Sequence, residues 1–383
     1  MLRPASRPPW VDIGTKAMNP RVLILTCEPP DSPGGMEHFV RELEAGLDRL
    51  GYDVTVLHRL NTSPRWVARP GNKWVGYAAD VALSWFLGRQ VRKRLGPDLA
   101  AVVSNGPFGW YLPVLPDSAR KVHFYHGTYR GQADVIRPFI SLSGALKLKW
   151  WDSMVLERQS GRGKIVLCNS DQTREEVHKY FGYASETAWY QLDTSHFASL
   201  DKLDSRRRLG LPEKEKIGLF VGSLHPTKGF STVQKLIDIL PDVRWCLGLR
   251  GSIPDEVVAN GRVSIFRDAT RDMLPLLYNS ADFAVCPSLY EPFGYVVAES
   301  LACGTPVVAS PGGASTALLG RTPLEHLLVP DVHSLNTFES VIRAILADPE
   351  RYRAMVLRLI RPEIEKKMRA EHWVGRFREL ARI

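Results

Sequence analysis

The sequence predicts an α/β protein made of two doubly wound, parallel-sheet domains facing each other across a cleft. Three observations carry this expectation. The chain is 383 residues long, too long for one ordinary domain and right for two of roughly 150–200 residues. Short apolar runs alternate with helical patterns through both halves, as parallel strands covered on both faces require. A charged break between 195 and 216, carrying LGLPEKEK, separates the halves.

RVLILT (21–26) is a run of the fully buried strand type. Met36, Phe39, Val40, Leu43, Leu47 and Leu50 follow at three-and-four spacing, an amphipathic helix closed by Gly51. DVTVLH (53–58) is the next strand, then a helix near 73–95, then LAAVVS (99–104), KVHFY (121–125) and KIVLCN (164–169). The second half repeats the pattern with KIGLFV (216–221), VRWCLGL (243–249), VSIF (263–266), FAVCP (283–287) and PVVA (306–309). The expected division is a tail at 1–19, a first domain at 20–198, a second at 199–364 and a C-terminal helix at 365–383. Sheets of this kind bind ligands outside the carboxyl ends of their strands.

Composition excludes several classes. With 44% hydrophobic and 24% charged residues the chain has the balance of a folded globular enzyme. No apolar run approaches the ~18–20 residues of a spanning helix, and the first twenty residues lack the apolar core of a secretory leader. Cys27, Cys168, Cys246, Cys286 and Cys303 are odd in number, scattered and free of CxxC pairs, which fits core residues of a cytoplasmic protein. The net charge of +9 is concentrated: 59–149 holds fourteen Lys/Arg against four Asp/Glu. Arg89, Arg92, Lys93 and Arg94 follow a helix bearing Trp74, Tyr77, Trp85 and Phe86, and Lys147 and Lys149 adjoin Trp150 and Trp151. Basic clusters beside interfacial aromatics attract anionic lipid headgroups, while a solvated helix end would explain the same charges.

The most informative segment is CPSLYEPFGYVVAESLACGTPVVAS (286–310). A strand ends at Pro287, a loop carries Glu291-Pro292-Phe293-Gly294, and a helix begins at once. Its first-turn N–H groups form an anion site suited to phosphate. Glu299 lies about two turns beyond Glu291, so two carboxylates flank that site, as hydroxyl-rich groups on either side of a phosphate would need.

This segment resembles the retaining glycosyltransferases of family 4, which have the GT-B fold of two Rossmann-like domains with a C-terminal helix crossing back to the first. The family pattern, EPFG-x-x-x-x-E-x-x-x-x-G-x-P-V-(V/I)-A, is matched at every position between Glu291 and Ala309. The resemblance implies a nucleotide diphosphate sugar as donor and a glycan or lipid-linked hydroxyl as acceptor. Gly34 and Gly35 resemble the loop that packs on the donor pyrophosphate, with Phe293, Gly294 and Tyr295 lining it. VGSLHPTKGF (221–230) resembles the segment whose lysine, here Lys228, steadies the pyrophosphate; Ser223 stands where the family usually has arginine. By resemblance Glu299 holds the ribose, Glu291 orients the donor sugar, and His126 in FYHGT (124–128) bridges sugar and acceptor. Arg250 and Arg267 are the candidates to replace the missing arginine. The CLGLRGSIPDE stretch (246–256) shortens the segment expected near the base.

No Asp-x-Asp, HExxH, GxGxxG or GxxxxGK[ST] occurs. The expectation is therefore no obligatory metal or other cofactor, no dehydrogenase or P-loop chemistry, and no nucleic-acid partner. An inner-face peripheral membrane location and a role in envelope polysaccharide or glycolipid synthesis accompany the reading. The alternatives are an epimerase or phosphorylase on the same fold, or a non-catalytic nucleotide- or anion-binding relative.

Overall fold

The computed structural model describes residues 19–32, 34–71, 73–250 and 261–383, and within them not the side chains of Lys73, Trp74, Val75, Tyr77 and Glu371. The expected tail up to residue 18, the end of the 246–256 stretch from Gly251, and the rings of Trp74 and Tyr77 lie outside the described residues.

Two all-parallel sheets organise the chain. The first contains β1 (Arg21–Leu25), β2 (Asp53–Leu57), β3 (Leu99–Asn105), β4 (Arg120–Tyr125), β5 (Ile165–Cys168) and β6 (Glu186–Thr187). Their spatial order is β2-β1-β3-β4-β5-β6. The second contains β7 (Lys216–Ser223), β8 (Val243–Arg250), β9 (Val263–Arg267), β10 (Phe283–Cys286) and β11 (Val307–Ala309), in the order β11-β10-β7-β8-β9. Each sheet reverses direction once, between β1 and β3 and between β10 and β7. The crevices at such reversals are where doubly wound sheets take ligands.

The strands form because their side chains are apolar on both faces: β1 from Val22 to Leu25 and β7 from Ile217 to Phe220 are buried throughout. In β7, Gly218 leaves the space that Phe283 and Trp245 fill, since a Cβ there would lie 2.7 Å from the Phe283 ring. The helix Gly35–Arg49 buries Phe39, Val40, Leu43 and Leu47, the face its spacing marks out.

The helix Ala370–Ala381 runs back over the first sheet. Trp373 packs edge-on to Phe39 at 5.8 Å and donates its indole N–H to the Trp189 carbonyl. Phe377 lies 6.4 Å from both Phe39 and Phe124. Arg361, just upstream, ties the crossing together by donating to the carbonyls of Thr194, Phe197 and Ala302. All five cysteines are unpaired, four of them buried. Among the described residues no helix is long and apolar enough to cross a membrane.

Candidate active site

The second domain brings two loops together at its reversal point. The loop after β7 forms a turn at Pro226–Lys228, and Gly229 follows with φ 67°, where a Cβ would collide with the Pro287 carbonyl. The loop after β10 carries Glu291. Lys228 Nζ donates to Glu291 Oε2 at 2.7 Å, and Ser288 Oγ donates to the same oxygen at 3.2 Å. Burial works against the charge on Lys228, but the Glu291 carboxylate outweighs it and holds the ammonium above its usual pKa. A cation and an anion thus wait at the mouth of the crevice, each neutralising the other.

Gly294, with φ 94°, turns the chain into the helix Tyr295–Ala302, whose N-terminus has no side-chain cap. Its first N–H groups remain available for an anion. One face inward, Glu299 accepts the Tyr278 hydroxyl at 2.7 Å. Burial raises the Glu299 pKa above the ordinary carboxylate range, opposed by the Tyr278 hydroxyl, Arg271 and Arg250.

Ser223 ends β7 directly opposite Arg250 on β8, and Arg250 is among the charges acting on Glu299. Arg267, the other candidate, pairs with Leu249 on the far strand and is not among them. Arg271 is, and sequence reasoning missed it. It lies in the turn Arg271–Met273, 3.8 Å from both Glu42 and Asp193, and no motif marks it.

Phe293 and Tyr295 face the first domain rather than an open crevice. Phe293 is buried 4.6 Å from Tyr190, and Tyr295 stacks on Tyr190 at 5.0 Å and meets His38 at 5.2 Å. Their backbone, not their rings, borders the anion site. In the first domain, Gly34 caps the helix Gly35–Arg49, and the Glu37 carboxylate folds back against it, so that a Cβ on Gly34 would push that carboxylate aside. Burial raises the Glu37 pKa.

His126 is held differently from the expected bridge between sugar and acceptor. Asn105 Nδ2 donates to the Leu25 carbonyl at 3.1 Å, which leaves its Oδ1 to accept from His126 Nε2 at 3.0 Å. Asn169 Nδ2 donates to Tyr190 at 3.2 Å, and the Tyr190 hydroxyl lies 2.5 Å from His126 Nδ1. The network therefore assigns the proton to Nε2 and makes Nδ1 an acceptor. Burial lowers the His126 pKa to about 3, so the imidazole is neutral. Both ring nitrogens are spent inside the first domain, and the ring borders the cleft without a free donor.

The domains meet around Tyr290. Its hydroxyl accepts from the Thr128 backbone N–H at 2.9 Å and donates to Glu176 Oε2 at 2.8 Å. Ser170 Oγ donates to the Pro292 carbonyl at 2.5 Å. Between the domains lies a cavity of about 340 Å³, lined among others by Phe108, His126, Gln132, Glu157, Lys228 and Pro292. Sequence reasoning missed Tyr290, Glu176 and Glu157, which belong to no motif. Among the described residues no three His, Cys, Asp or Glu side chains cluster as metal ligands would.

Comparison with known proteins fits this geometry. Residues 33–188 match the model for Glycosyltransferase Family 4 and residues 201–358 that for Glycosyl transferases group 1. The D-inositol 3-phosphate glycosyltransferase of Mycobacterium sp. (strain KMS) is 34% identical over 169 residues, 41% of this chain and 38% of that relative. The alpha-maltose-1-phosphate synthase of Mycolicibacterium smegmatis is 28% identical over 371 residues, 87% of this chain and 92% of that protein. Sucrose-phosphate synthase from Thermosynechococcus elongatus superposes with a TM-score of 0.77 at 20% identity, covering 94% of this chain and 98% of that one. With each half matched by one of the two models and the whole chain superposing on a GT-B enzyme, the protein belongs to the group 1, family 4 glycosyltransferases.

Proposed function

We propose that the protein transfers a glycosyl residue from a nucleotide diphosphate sugar to a hydroxyl of a glycan or lipid-linked acceptor, with retention at the anomeric carbon and no obligatory metal. The observation that carries the reading is the Lys228–Glu291 pair, 2.7 Å apart on the two loops of the crevice and beside an uncapped helix N-terminus. An arriving pyrophosphate offers Lys228 a second, stronger anionic partner. That releases Glu291 to accept hydroxyls of the donor sugar. Glu299, with Arg250 and Arg271 around it, is placed to take the ribose hydroxyls.

The acceptor hydroxyl enters from the first domain. The bond from the anomeric carbon to the phosphate oxygen breaks as that to the acceptor oxygen forms, on the same face. The acceptor proton passes to a phosphate oxygen of the departing nucleotide, so no protein nucleophile is needed. Lys228 and the helix N-terminus stabilise the charge that develops on the leaving group. His126, neutral and fully engaged, shapes the cleft through its ring and takes no part in proton transfer.

The same proposal places the enzyme at an anionic membrane. Trp150, Trp151, Leu142 and Phe139 are 59%, 47%, 64% and 54% exposed, on the segment that also carries Lys147 and Lys149. Trp85 is 40% exposed under the Arg89 guanidinium. These rings are not packed on the sheet, which favours the interfacial reading and, with it, a role in envelope polysaccharide or glycolipid assembly at the inner membrane face.

A thermal-shift panel of nucleotide diphosphates and their sugars tests the donor. One nucleotide family should raise Tm, and the matching sugar nucleotide should then release its diphosphate when an acceptor is supplied. Absence of stabilisation by every nucleotide diphosphate would overturn the reading.

A further inference from the structure

The cavity between the domains has an acidic wall that the proposed transfer leaves unexplained. Glu157, the last residue of the π-helical stretch Lys147–Glu157, is 4% exposed and accepts the Tyr129 backbone N–H at 3.0 Å. It nonetheless lines the cavity, together with Gln132 and Tyr129. π-Helical turns cost regular hydrogen bonding and recur at functional sites; here the widened turn ends at the carboxyl. Behind the wall, Glu176 takes the hydroxyls of Thr128 and Tyr290 at 2.6 and 2.8 Å.

Among the described lining residues, Lys228 is the one cationic side chain, and its charge is committed to Glu291 and, on donor binding, to the pyrophosphate. A phosphorylated acceptor entering this space would find the Glu157 carboxyl and no unclaimed cation. A desolvated anion without a partner is strongly disfavoured.

We propose that this cavity is the acceptor subsite and that Glu157 selects an uncharged, hydroxyl-bearing sugar ring over a phosphorylated one. The inference rests on the glycosyl-transfer reading and names the acceptor class for it. At about 340 Å³ the space stands at the small end of ligand sites, which suits a single ring. Phe108 supplies an apolar face, while Glu157 and Gln132 supply polar groups for ring hydroxyls. Burial pushes the Glu157 carboxyl well above the usual carboxylate range, with Glu176 and Asp152 adding to the effect.

Saturation-transfer NMR on the full chain, with UDP or GDP present, tests this with methyl glucoside, methyl mannoside and methyl N-acetylglucosaminide against their phosphorylated counterparts. At least one neutral glycoside should bind, and its phosphorylated form should bind about tenfold more weakly or worse. Glu157→Leu should weaken the glycoside by about tenfold. Glu157→Gln should restore it to within about threefold, because the amide can still accept from Tyr129 and donate inward. In both variants the nucleotide-induced Tm shift should persist, which reports the second domain's fold separately. Tighter binding of a phosphorylated sugar, absence of binding by every neutral glycoside, or equal binding by Glu157→Leu would overturn the inference. Should Glu157→Leu fail to fold, the neutral-against-phosphorylated comparison on the wild type still decides. Failure of the glycosyl-transfer reading shows elsewhere, as loss of the nucleotide-induced shift.

Discussion

The Tyr290 hydroxyl of the second domain donates to Glu176 of the first at 2.8 Å while accepting the Thr128 N–H at 2.9 Å. One phenol thus ties the second domain to two residues of the first, four residues from the end of the strand that also delivers Glu291. Tyr290→Phe should keep the ring and lose the clasp. Glu176 would be left with one fewer donor, at a cost of about 1–3 kcal/mol. The expected result is a larger radius of gyration by small-angle scattering and a reduced kcat, with the nucleotide-induced Tm shift retained.

Lys228→Ala should cost about a hundred- to a thousand-fold in kcat, the magnitude of losing one preorganised leaving-group contact. Glu291→Gln should cost comparably. In Lys228→Ala the nucleotide diphosphate shift should also shrink, whereas in Glu291→Gln it should remain. Retained turnover in either variant would refute the assigned roles.

Acid should destabilise the fold through its partly buried histidines. Burial lowers His38 to about 4 and His126 to about 3. Each binds its proton more readily unfolded, near pH 6.5, so stability falls as pH drops from there towards the folded values. The cost at pH 5 is about 2 kcal/mol per histidine. The raised carboxyls of Glu157 and Glu299 give the opposite slope above their unfolded pKa, so the comparison needs a variant. In His38→Gln, urea unfolding between pH 7 and 5 should lose about 2 kcal/mol less stability than in the wild type. An unchanged pH dependence would show that His38 titrates normally.

Membrane docking should be salt-reversible on liposomes containing anionic lipid, with about 1 kcal/mol lost for each basic residue removed near the surface. Replacing both Trp150 and Trp151 by Ser should abolish co-sedimentation without lowering Tm, since both rings are exposed. Binding that survives high salt would sink the electrostatic part of the idea.

Trp373→Ala should be severely destabilising, by about 3–5 kcal/mol, because the ring is buried against Phe39 and holds the Trp189 carbonyl. Hydrogen exchange should accelerate first in the helix Gly35–Arg49, although that helix lies more than three hundred residues away in sequence.

Much of this was legible in the chain. The strand runs stand out because both faces of each central strand are apolar, and the helix faces follow from spacing. Glu291, Lys228, Gly294 and Glu299 are found because their chemistry depends on local spacing along one loop or helix. The missed residues work across space: Tyr290 and Glu176 meet over 114 positions, Arg271 approaches Glu299 from a different element, and Glu157 gains meaning only from a π-helical turn. β6 was missed for a related reason, since its two residues pair only because β5 offers them an edge. His126 shows the limit from the other side. Its place at a strand end was readable, but Asn105 and Tyr190, which occupy its nitrogens, and Asn169, which donates to Tyr190, come from other parts of the chain.

The crossing of the helix Ala370–Ala381 over Phe39 and Phe124 has a consequence for how the molecule is made. The first domain's sheet is synthesised early, yet one wall of its aromatic core comes from a helix that follows the entire second domain. During vectorial synthesis that wall stays open, with Phe39 and Phe124 uncovered, until the later half has been made and folded back. The first half to emerge is therefore the last to be finished.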